Sequence, residues 1–449
     1  MSSLLHKSGI QDNFKVVGGL LRSHFVRDLS TVMLGTGAAQ LVSFLLSPVV
    51  SRLFTPSDFG VYGSFNSVLG VITAAVTLQY CQAIMLPKQK EDALNVWFVA
   101  GLSVGLISLL CLLAVIIFPT MILNLIDVEN PWFLVFLLIA VLVSGLNLAF
   151  QAWCVRVKDF KRTSASQVYR ALSAEGLWIG LGLARTGAIG LVAGIVLANV
   201  VATFNLFRRW LTDMQALRFA VNWRKIKDMA YEYRDFPLYS TPQNVMNAVS
   251  QGLPVLLLAN FYGAEVAGSY AFAVKILGTP LRFVLTPLRQ VLFQRASELY
   301  NQGGNLYSLF LKMTGGLFLL IVIPALLVFA GAPLVFPWIF GEAWIEGGVY
   351  ARWLIIWLAV GFCNVPAVLF ARIVRKQKHI FMYEIVVLIS RALVLMFGAA
   401  VLSAQHTVMA FSIVGSILNT FLIVWIGLNL RHKKRVSVLD IGKSQDLDL

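Results

Sequence analysis

The sequence predicts an all-α polytopic membrane protein, with twelve transmembrane helices in two six-helix lobes related by a pseudo-twofold axis along the membrane normal. Of its 449 residues, 58% are hydrophobic and only 13% are charged, whereas soluble domains carry about 25% charged residues. Apolar runs of about 20 residues, the length that crosses a bilayer as a helix, recur along the chain. Lysine and arginine are also distributed unevenly between the segments that connect these runs.

Twelve segments have the length and hydropathy expected of spans. They are residues 29–53, 59–85, 93–119, 131–154, 163–184, 187–207, 236–262, 265–294, 307–331, 350–371, 379–403 and 407–430. The stretch between the sixth and seventh spans is charged and aromatic, which indicates a linker between two halves. The expected organisation is an N-terminal cytoplasmic or interfacial segment (1–28), a first lobe (29–207), a cytoplasmic linker (208–235), a second lobe (236–430) and a cytoplasmic basic tail (431–449).

The positions of the basic residues predict the orientation of the spans. If the N-terminus lies in the cytoplasm, 29 of the 36 lysines and arginines fall in or beside cytoplasmic connections, and only Arg52, Arg185 and Arg352 fall on the other side. Such an excess is typical of cytoplasmic loops. Both termini are therefore predicted to be cytoplasmic. The net charge of +15 reflects topology and gives no indication of nucleic-acid binding.

The two halves resemble each other in sequence. "RLFTPSDFGVYGSF" (52–65) and "ANFYGAEVAGSYAF" (259–272) both follow the first span of a half, and residues 60–63 align with 268–271 at a separation of 208. The triplet Arg-Ala-Leu begins at Arg170 and again at Arg391. Six spans in each half give both halves the same orientation, which places a binding site at their interface.

Several cations lie within the apolar segments. In "YAFAVKILGTPLRFVLTPLRQVLF" (270–293), Lys275, Arg282 and Arg289 recur every seven residues, which places them on one helix face. Arg170 and Arg391 lie in two other spans. Ionisable groups at this depth face a cavity or a partner, although Arg289 is near the cytoplasmic end, where a long side chain can reach water.

Glu175 and Glu384 are the only acids well inside spans, and two readings of the buried charges remain open. The acids can form structural ion pairs with the cations, or the cations can surround a space that binds an anion. Four buried cations (Arg170, Lys275, Arg282 and Arg391) against two acids leave a positive surplus, which predicts an anionic ligand. In that case Glu175 or Glu384 would neutralise an arginine or take up a proton during transport.

At this level of detail the chain resembles the polysaccharide-synthesis flippases of the O-antigen or lipid-linked oligosaccharide type, in the superfamily that includes multidrug exporters. The resemblance covers about residues 28–430. It is carried by "YRDFPLYSTPQNVMNAVSQGLPVLLLANFYG" (233–263), "GSYAFAVKILGTP" (268–280), "SRLFTPSDFGVYGSF" (51–65), "AIMLPKQKEDA" (83–93) and "FGEAWIEGG" (340–348).

The resemblance implies a flippase of the bacterial inner membrane that works by alternating access. Its substrate would be an undecaprenyl-pyrophosphate-linked glycan, moved from the cytoplasmic to the periplasmic leaflet for O-antigen, capsule or exopolysaccharide synthesis. A polysaccharide polymerase and a chain-length regulator would be its protein partners. The pyrophosphate would meet Arg170, Lys275, Arg282 and Arg391. The polar residues expected to contact glycan are Gln79, Gln82, Tyr239, Gln243, Asn244, Asn247, Gln251 and Tyr270.

Two alternatives stand beside this function. A cation-coupled multidrug exporter would share the fold, but the positive surplus disfavours a cationic cargo. A membrane-embedded polysaccharide polymerase would need a long external loop with catalytic groups, and the external loops here are short. A metal-dependent glycosyltransferase would need acids such as Asp-x-Asp in a folded loop, and the one match, Asp446-Leu447-Asp448, lies in the charged tail. No Ser/His/Asp set, glycine-rich phosphate loop or metal-ligand cluster occurs in the sequence. We therefore expect no enzymatic activity, no cofactor and no metal ion.

Overall fold

A computed structural model describes residues 24–217, 221–374 and 376–445, and every regular element within these ranges is a helix. The expected interfacial segment at the N-terminus lies mostly outside them. The α-helices are α1 (His24–Leu53), α2 (Pro56–Ala75), α3 (Tyr80–Ala83), α4 (Lys90–Ile117), α5 (Pro119–Ile126), α6 (Trp132–Arg156), α7 (Phe160–Leu183), α8 (Ala188–Leu217), α9 (Trp223–Glu232), α10 (Thr241–Tyr262), α11 (Ala264–Asn301), α12 (Leu306–Phe340), α13 (Ile345–Cys363), α14 (Val365–Ile373), α15 (Gln377–Val401) and α16 (Ala404–Gln445).

Each predicted span coincides with one long helix or with two successive helices. By length and composition, seven segments of the described residues can cross a membrane: Lys90–Ile117, Trp132–Arg156, Ala188–Ala216, Leu306–Phe340, Glu342–Ile373, Gln377–Val401 and Ala404–Arg431. An eighth is α11, which is bent by 41° between Thr286 and Val291. The remaining predicted spans include α7 and α10, whose many polar side chains lower their hydropathy.

The helices pack as two lobes. In the first lobe, α7 packs against α1 and α8, and α8 also packs against α6. In the second lobe, α13 packs against α12 and α16, and α16 also packs against α15. The main contacts between the lobes are those of α2 with α10 and α11. The interface between the lobes is therefore built largely from the second span of one lobe and the first two spans of the other.

The start of α2 is fixed by its sequence. Thr55 and Asp58 form a capping box, in which the Asp58 backbone N–H donates to Thr55 Oγ1 (3.2 Å) and the Thr55 backbone N–H donates to Asp58 Oδ2 (2.9 Å). Such a box satisfies backbone donors that the first turn of a helix leaves free. Pro56 follows as the first helical residue, a position that suits its fixed φ. Gly60 is thereby placed one turn into the helix.

Gly60 and Gly268 hold the two lobes together through a reciprocal backbone contact. A Cβ on Gly60 would overlap the carbonyl oxygen of Ala264, and a Cβ on Gly268 would overlap the carbonyl oxygen of Pro56. Gly268 lies 208 residues after Gly60, and Ala264 lies 208 residues after Pro56. Equivalent residues of the repeat therefore contact each other at one place, which is where a pseudo-twofold axis must pass.

Further contacts close the molecule around these glycines, at what we call the closed end (residues 51–60, 263–272 and 336–344). The Trp344 indole Nε1 donates to the Ser51 carbonyl oxygen (2.8 Å), and Ser51 Oγ donates to the Phe340 carbonyl oxygen (3.1 Å). The Phe272 ring centroid lies 4.1 Å from that of Trp344 and 5.2 Å from that of Phe59. These ring contacts pack the closed end tightly.

The linker packs on the opposite end of the first lobe. Helix α9 buries Ile226 against an aromatic cluster of that lobe. The Tyr80 hydroxyl donates to the Ala230 carbonyl oxygen (2.9 Å), and Lys225 lies 3.3 Å from Asp92. A π-helical turn, Phe236–Ser240, then leads into α10.

Candidate functional site

A cavity of about 850 Å³ lies between the lobes and extends away from the closed end. Residues of α2, α10, α11, α13, α14, α15 and α16 line it. Its inner wall includes the buried side chains of Phe59 and Phe272, whereas its other end, which we call the mouth, includes the exposed side chains of Arg289 and Arg372. The cavity is therefore closed at one end and reachable at the other.

The cationic ladder of α11 forms one wall of this cavity. Lys275, Arg282 and Arg289 all line it. Because seven residues correspond to nearly two helical turns, Lys275 and Arg282 leave the same face of α11, about 10 Å apart along its axis. Arg289 follows at the bend of the helix and still lines the cavity. Arg282 is exposed to the cavity, and its Nη2 would lie 3.3 Å from a Cβ placed on Gly278.

The side chain of Lys275, the innermost cation of the ladder, extends from the second lobe and contacts the first lobe. Its Nζ lies 4.8 Å from the Trp178 ring centroid and 6.0 Å from that of Phe59, which are cation–π distances. Glu175, one turn before Trp178, interacts electrostatically with Lys275 but is more than 4.0 Å away. Glu175 is only 1% exposed; the Ser43 hydroxyl faces its carboxylate, but neither carboxylate oxygen makes a well-aligned hydrogen bond with the described residues.

Arg391 enters the cavity from α15. Its Nη1 donates to the carbonyl oxygen and to Oγ of Ser250, each at 3.0 Å. The guanidinium carbon lies 5.2 Å from the Trp357 ring centroid and 5.7 Å from that of Phe411. Nε has no hydrogen-bond partner among the described residues. The side chain is thus fixed on one edge by α10 and by rings, and it keeps donor capacity on the other.

Arg170, the repeat counterpart of Arg391, is exposed on α7 and is not among the residues that line the cavity. It interacts electrostatically with Tyr62, as Arg391 does with Tyr270. Tyr62 and Tyr270 are 208 residues apart, so each half places its arginine near the equivalent tyrosine. Both tyrosines line the cavity, but only the arginine of the second half does so.

Two charged groups at the mouth complete the cavity. Arg372, at the end of α14, and Glu384, on α15, both line it and interact electrostatically with each other. The cavity therefore exposes five cations (Lys275, Arg282, Arg289, Arg372 and Arg391) and one acid. No carboxylate of the described residues lies within 4.0 Å of any of the five cations. Sequence reasoning placed Arg372 in a cytoplasmic loop, where a basic residue signals topology rather than ligand binding.

A second cavity, of about 190 Å³, adjoins the mouth and shares Asn247, Arg372 and Glu384 with the first. We call it the amide chamber, and its other lining residues are Gln82, Ser240, Gln243 and Asn244. Of the residues expected to contact glycan, six line one or both cavities: Gln82, Gln243, Asn244, Asn247, Gln251 and Tyr270. Gln79 instead donates to the Ala74 carbonyl oxygen (2.8 Å), and Tyr239 is 73% exposed outside both cavities.

The family follows from a comparison of the whole sequence. A family described as polysaccharide biosynthesis protein matches residues 49–347, which is more than half of the chain. The chain belongs to this family. The family resemblance seen in the sequence motifs is thereby confirmed. No curated protein matches the chain. Among the described residues, no group of three or more His, Cys, Asp or Glu side chains could hold a metal ion.

Solved structures share the fold of this family member at low sequence identity. An inward-facing multidrug resistance transporter of the MATE family, in the MOP superfamily, has a TM-score of 0.72 over 90% of this chain and 99% of its own, at 12% identity. The lipid II flippase MurJ in an inward closed conformation has a TM-score of 0.67 over 90% and 92%, at 14% identity. A MOP-superfamily transporter from Pyrococcus furiosus has 0.58 over 92% and 98%, at 14%. The predicted fold class is confirmed.

Proposed function

We propose that this protein is a flippase that carries an undecaprenyl-pyrophosphate-linked glycan from the cytoplasmic to the periplasmic leaflet of the bacterial inner membrane. The observation that carries the proposal is the surplus of five cations over one acid in a cavity of about 850 Å³. A pyrophosphate forms its strongest hydrogen bonds with cationic donors, and a low-dielectric wall strengthens the attraction. The family's connection with polysaccharide synthesis favours a glycan as the group that the phosphate carries.

Alternating access accounts for transport in this proposal. The Lys- and Arg-rich connections lie at the mouth end of the helices, so the positive-inside rule assigns the mouth to the cytoplasm. The substrate would enter there, and the halves 29–207 and 236–430, joined by the linker 208–235, would then rock against each other until the contact between Gly60 and Gly268 opens. Opening of the closed end would release the glycan to the periplasm.

Replacement of Arg282 tests the proposal. Arg282→Ala should lower transport of lipid-linked oligosaccharide in proteoliposomes by at least about tenfold, because a lost charge-assisted hydrogen bond costs about 1.5–3 kcal/mol. Arg282→Lys should retain part of the activity, since charge survives while the bidentate geometry is lost. Complementation of a flippase-deficient strain, scored by surface polysaccharide, is the cellular counterpart.

Arg295→Ala is the matched control, because Arg295 is an exposed arginine on the same helix and lines neither cavity. It should leave transport unchanged, and immunoblots should show equal membrane levels for all variants. Wild-type transport by Arg282→Ala would overturn the assignment of the cationic cavity to the pyrophosphate.

A multidrug exporter remains the competing function, because one of the structures that share the fold is a multidrug resistance transporter. A cationic drug would be repelled by the five cationic side chains that line the cavity. We therefore expect no efflux of ethidium from cells that express the protein. Efflux that Arg282→Ala leaves intact would favour the exporter instead.

A further inference from the structure

The amide chamber differs in chemistry from the cavity that it adjoins. Apart from Arg372 and Glu384, its lining consists of uncharged polar side chains. Three of these, Gln243, Asn244 and Asn247, come from the first turns of α10. Residues separated by three and four positions share one helix face, so the sequence "QNVMN" (243–247) turns its amides to the same side. The π-helical turn that precedes α10 adds Ser240 to the same wall.

Most of this hydrogen-bonding capacity is unused by the protein. Within the described part of the chain, the side chains of Ser240, Gln243 and Asn244 make no hydrogen bond. Asn247 Oδ1 accepts from Gln251 Nε2 (3.2 Å), which leaves the Asn247 amide hydrogens free. Gln82 also makes one hydrogen bond, because its Nε2 donates to Gln79 Oε1 (2.7 Å). The chamber therefore offers several donors and acceptors that point into one small space.

The class of ligand follows from these groups. An amide both donates and accepts hydrogen bonds, as a hydroxyl does, so a wall of amides suits a ligand with many hydroxyls. A second phosphate would meet a single arginine and would be repelled by Glu384. A hydrocarbon chain would bury the amides without partners, at a cost of about 1–3 kcal/mol each. A neutral or weakly charged saccharide satisfies every group.

We propose that the amide chamber is a saccharide subsite that binds the part of the glycan nearest to the pyrophosphate. This inference rests on the proposed function. The chamber opens beside Arg372, which also lines the main cavity together with Arg289. Pyrophosphate held by these arginines would thus bring its attached sugar to the chamber. Glu384 accepts hydrogen bonds from sugar hydroxyls, while Arg372 offsets its charge.

Binding measurements with two ligands test the subsite. The purified full-length protein in nanodiscs is titrated with undecaprenyl pyrophosphate, and separately with lipid-linked oligosaccharide extracted from a strain in which the gene is deleted. The variants are Gln243→Leu and Asn244→Leu, which line the chamber and not the main cavity. The control is Gln302→Leu, an exposed amide at the end of α11 outside both cavities.

Wild-type protein should bind the oligosaccharide-bearing lipid more tightly than undecaprenyl pyrophosphate. Each chamber variant should weaken binding of the oligosaccharide-bearing lipid by about fivefold, the effect of one lost hydrogen bond, and should leave binding of undecaprenyl pyrophosphate unchanged. Arg282→Ala should weaken both. The control should alter neither affinity.

Two results would overturn the subsite. In the first, the wild type binds both ligands equally; in the second, the chamber variants keep the full preference for the glycosylated lipid. A failure of the proposed function has a different signature, because the wild type would then bind neither ligand. Circular dichroism and size-exclusion profiles equal to wild type establish that each variant is folded.

Discussion

The Arg391 guanidinium is fixed by contacts with Ser250 and two aromatic rings, whereas its counterpart Arg170 is exposed on α7. We therefore expect unequal effects from equivalent substitutions. Arg391→Ala should lower transport by about tenfold, as for one charge-assisted hydrogen bond, and Arg170→Ala should have a smaller effect. The double variant should be worse than either. Equal transport rates for the two single variants in proteoliposomes would contradict the asymmetry.

Glu175 is the buried acid with the fewest compensating contacts. Lys275 of α11 lies beyond ion-pair distance, and the Ser43 hydroxyl of α1 and the Tyr62 hydroxyl of α2 are its neutral neighbours. We expect Glu175→Gln to slow transport and to flatten its pH dependence, because the amide keeps the shape and removes the titrating group. Glu265→Gln, an exposed carboxylate near the closed end, is the control. An unchanged rate and pH profile for Glu175→Gln would leave the carboxylate with a structural role.

At the residue scale, the sequence identified cavity cations that lie deep within a span, but it did not identify a cavity cation that lies close to a loop. Lys275, Arg282 and Arg391 stand out in the sequence because a cation far from the membrane boundary needs a reason. Arg372 does not, because the same residue type near a boundary is what topology requires. Gln79 was expected to contact glycan, but its amide bonds to backbone where the helix breaks. The predicted span 59–85 runs unbroken through Gln79, so the sequence did not indicate that the backbone occupies this amide.

At the scale of helices, the contact of α2 with α11 makes a prediction about the closed end. Gly60→Val places a side chain where the Ala264 carbonyl oxygen lies, so the lobes must separate there. We expect the distance between spin labels at the exposed positions Glu129 and Glu342 to increase by several ångströms in pulsed EPR, in a background without native cysteines. Transport should fall, because the closed end no longer seals.

Gly70→Val on the same helix is the control, because a Cβ on Gly70 meets no atom within 4 Å. It should leave both the label distance and transport as in the wild type. An unchanged distance in Gly60→Val would show that the contact yields to a side chain without moving the lobes.

The long helices could be predicted from sequence, but most of the breaks could not. The bend of α11 between Thr286 and Val291 is the exception, because the sequence has a proline at position 287. The length of an apolar run locates a span, because a helix needs about 20 apolar residues to cross the bilayer. The break between α2 and α3 depends on left-handed backbone at Leu78 (φ 45°) and Gln79 (φ 59°), two residue types that rarely signal it. The short helix α5 and the π-helical turn before α10 were likewise not predicted, since tertiary packing rather than local sequence selects them.

For the whole molecule, orientation in the membrane is the prediction to test. Reporter fusions at Asp127, Glu265 and Glu342 should be periplasmic. Fusions at Lys88, Lys225 and Lys376 should be cytoplasmic, because the basic residues are concentrated on that side. Paired alkaline phosphatase and fluorescent protein fusions give opposite signals at each site. Reversed signals at any two sites would refute the twelve-span topology.

The reciprocal glycine contact separates what the duplicated halves share from what only one of them contributes. Two copies of a single six-helix polypeptide could make this contact as a homodimer, since a twofold interface pairs the same patch with itself. Part of the cargo-binding charge has no such counterpart: the positions 208 residues before Lys275 and Arg282 are Ser67 and Ala74, both neutral. Arg170, the counterpart of Arg391, keeps its charge but does not line the cavity. The glycine contact thus has the form of an interface between two identical chains, while the cations that line the cavity all belong to the second half. Fusion into a single gene is what allows one copy to specialise without altering the other.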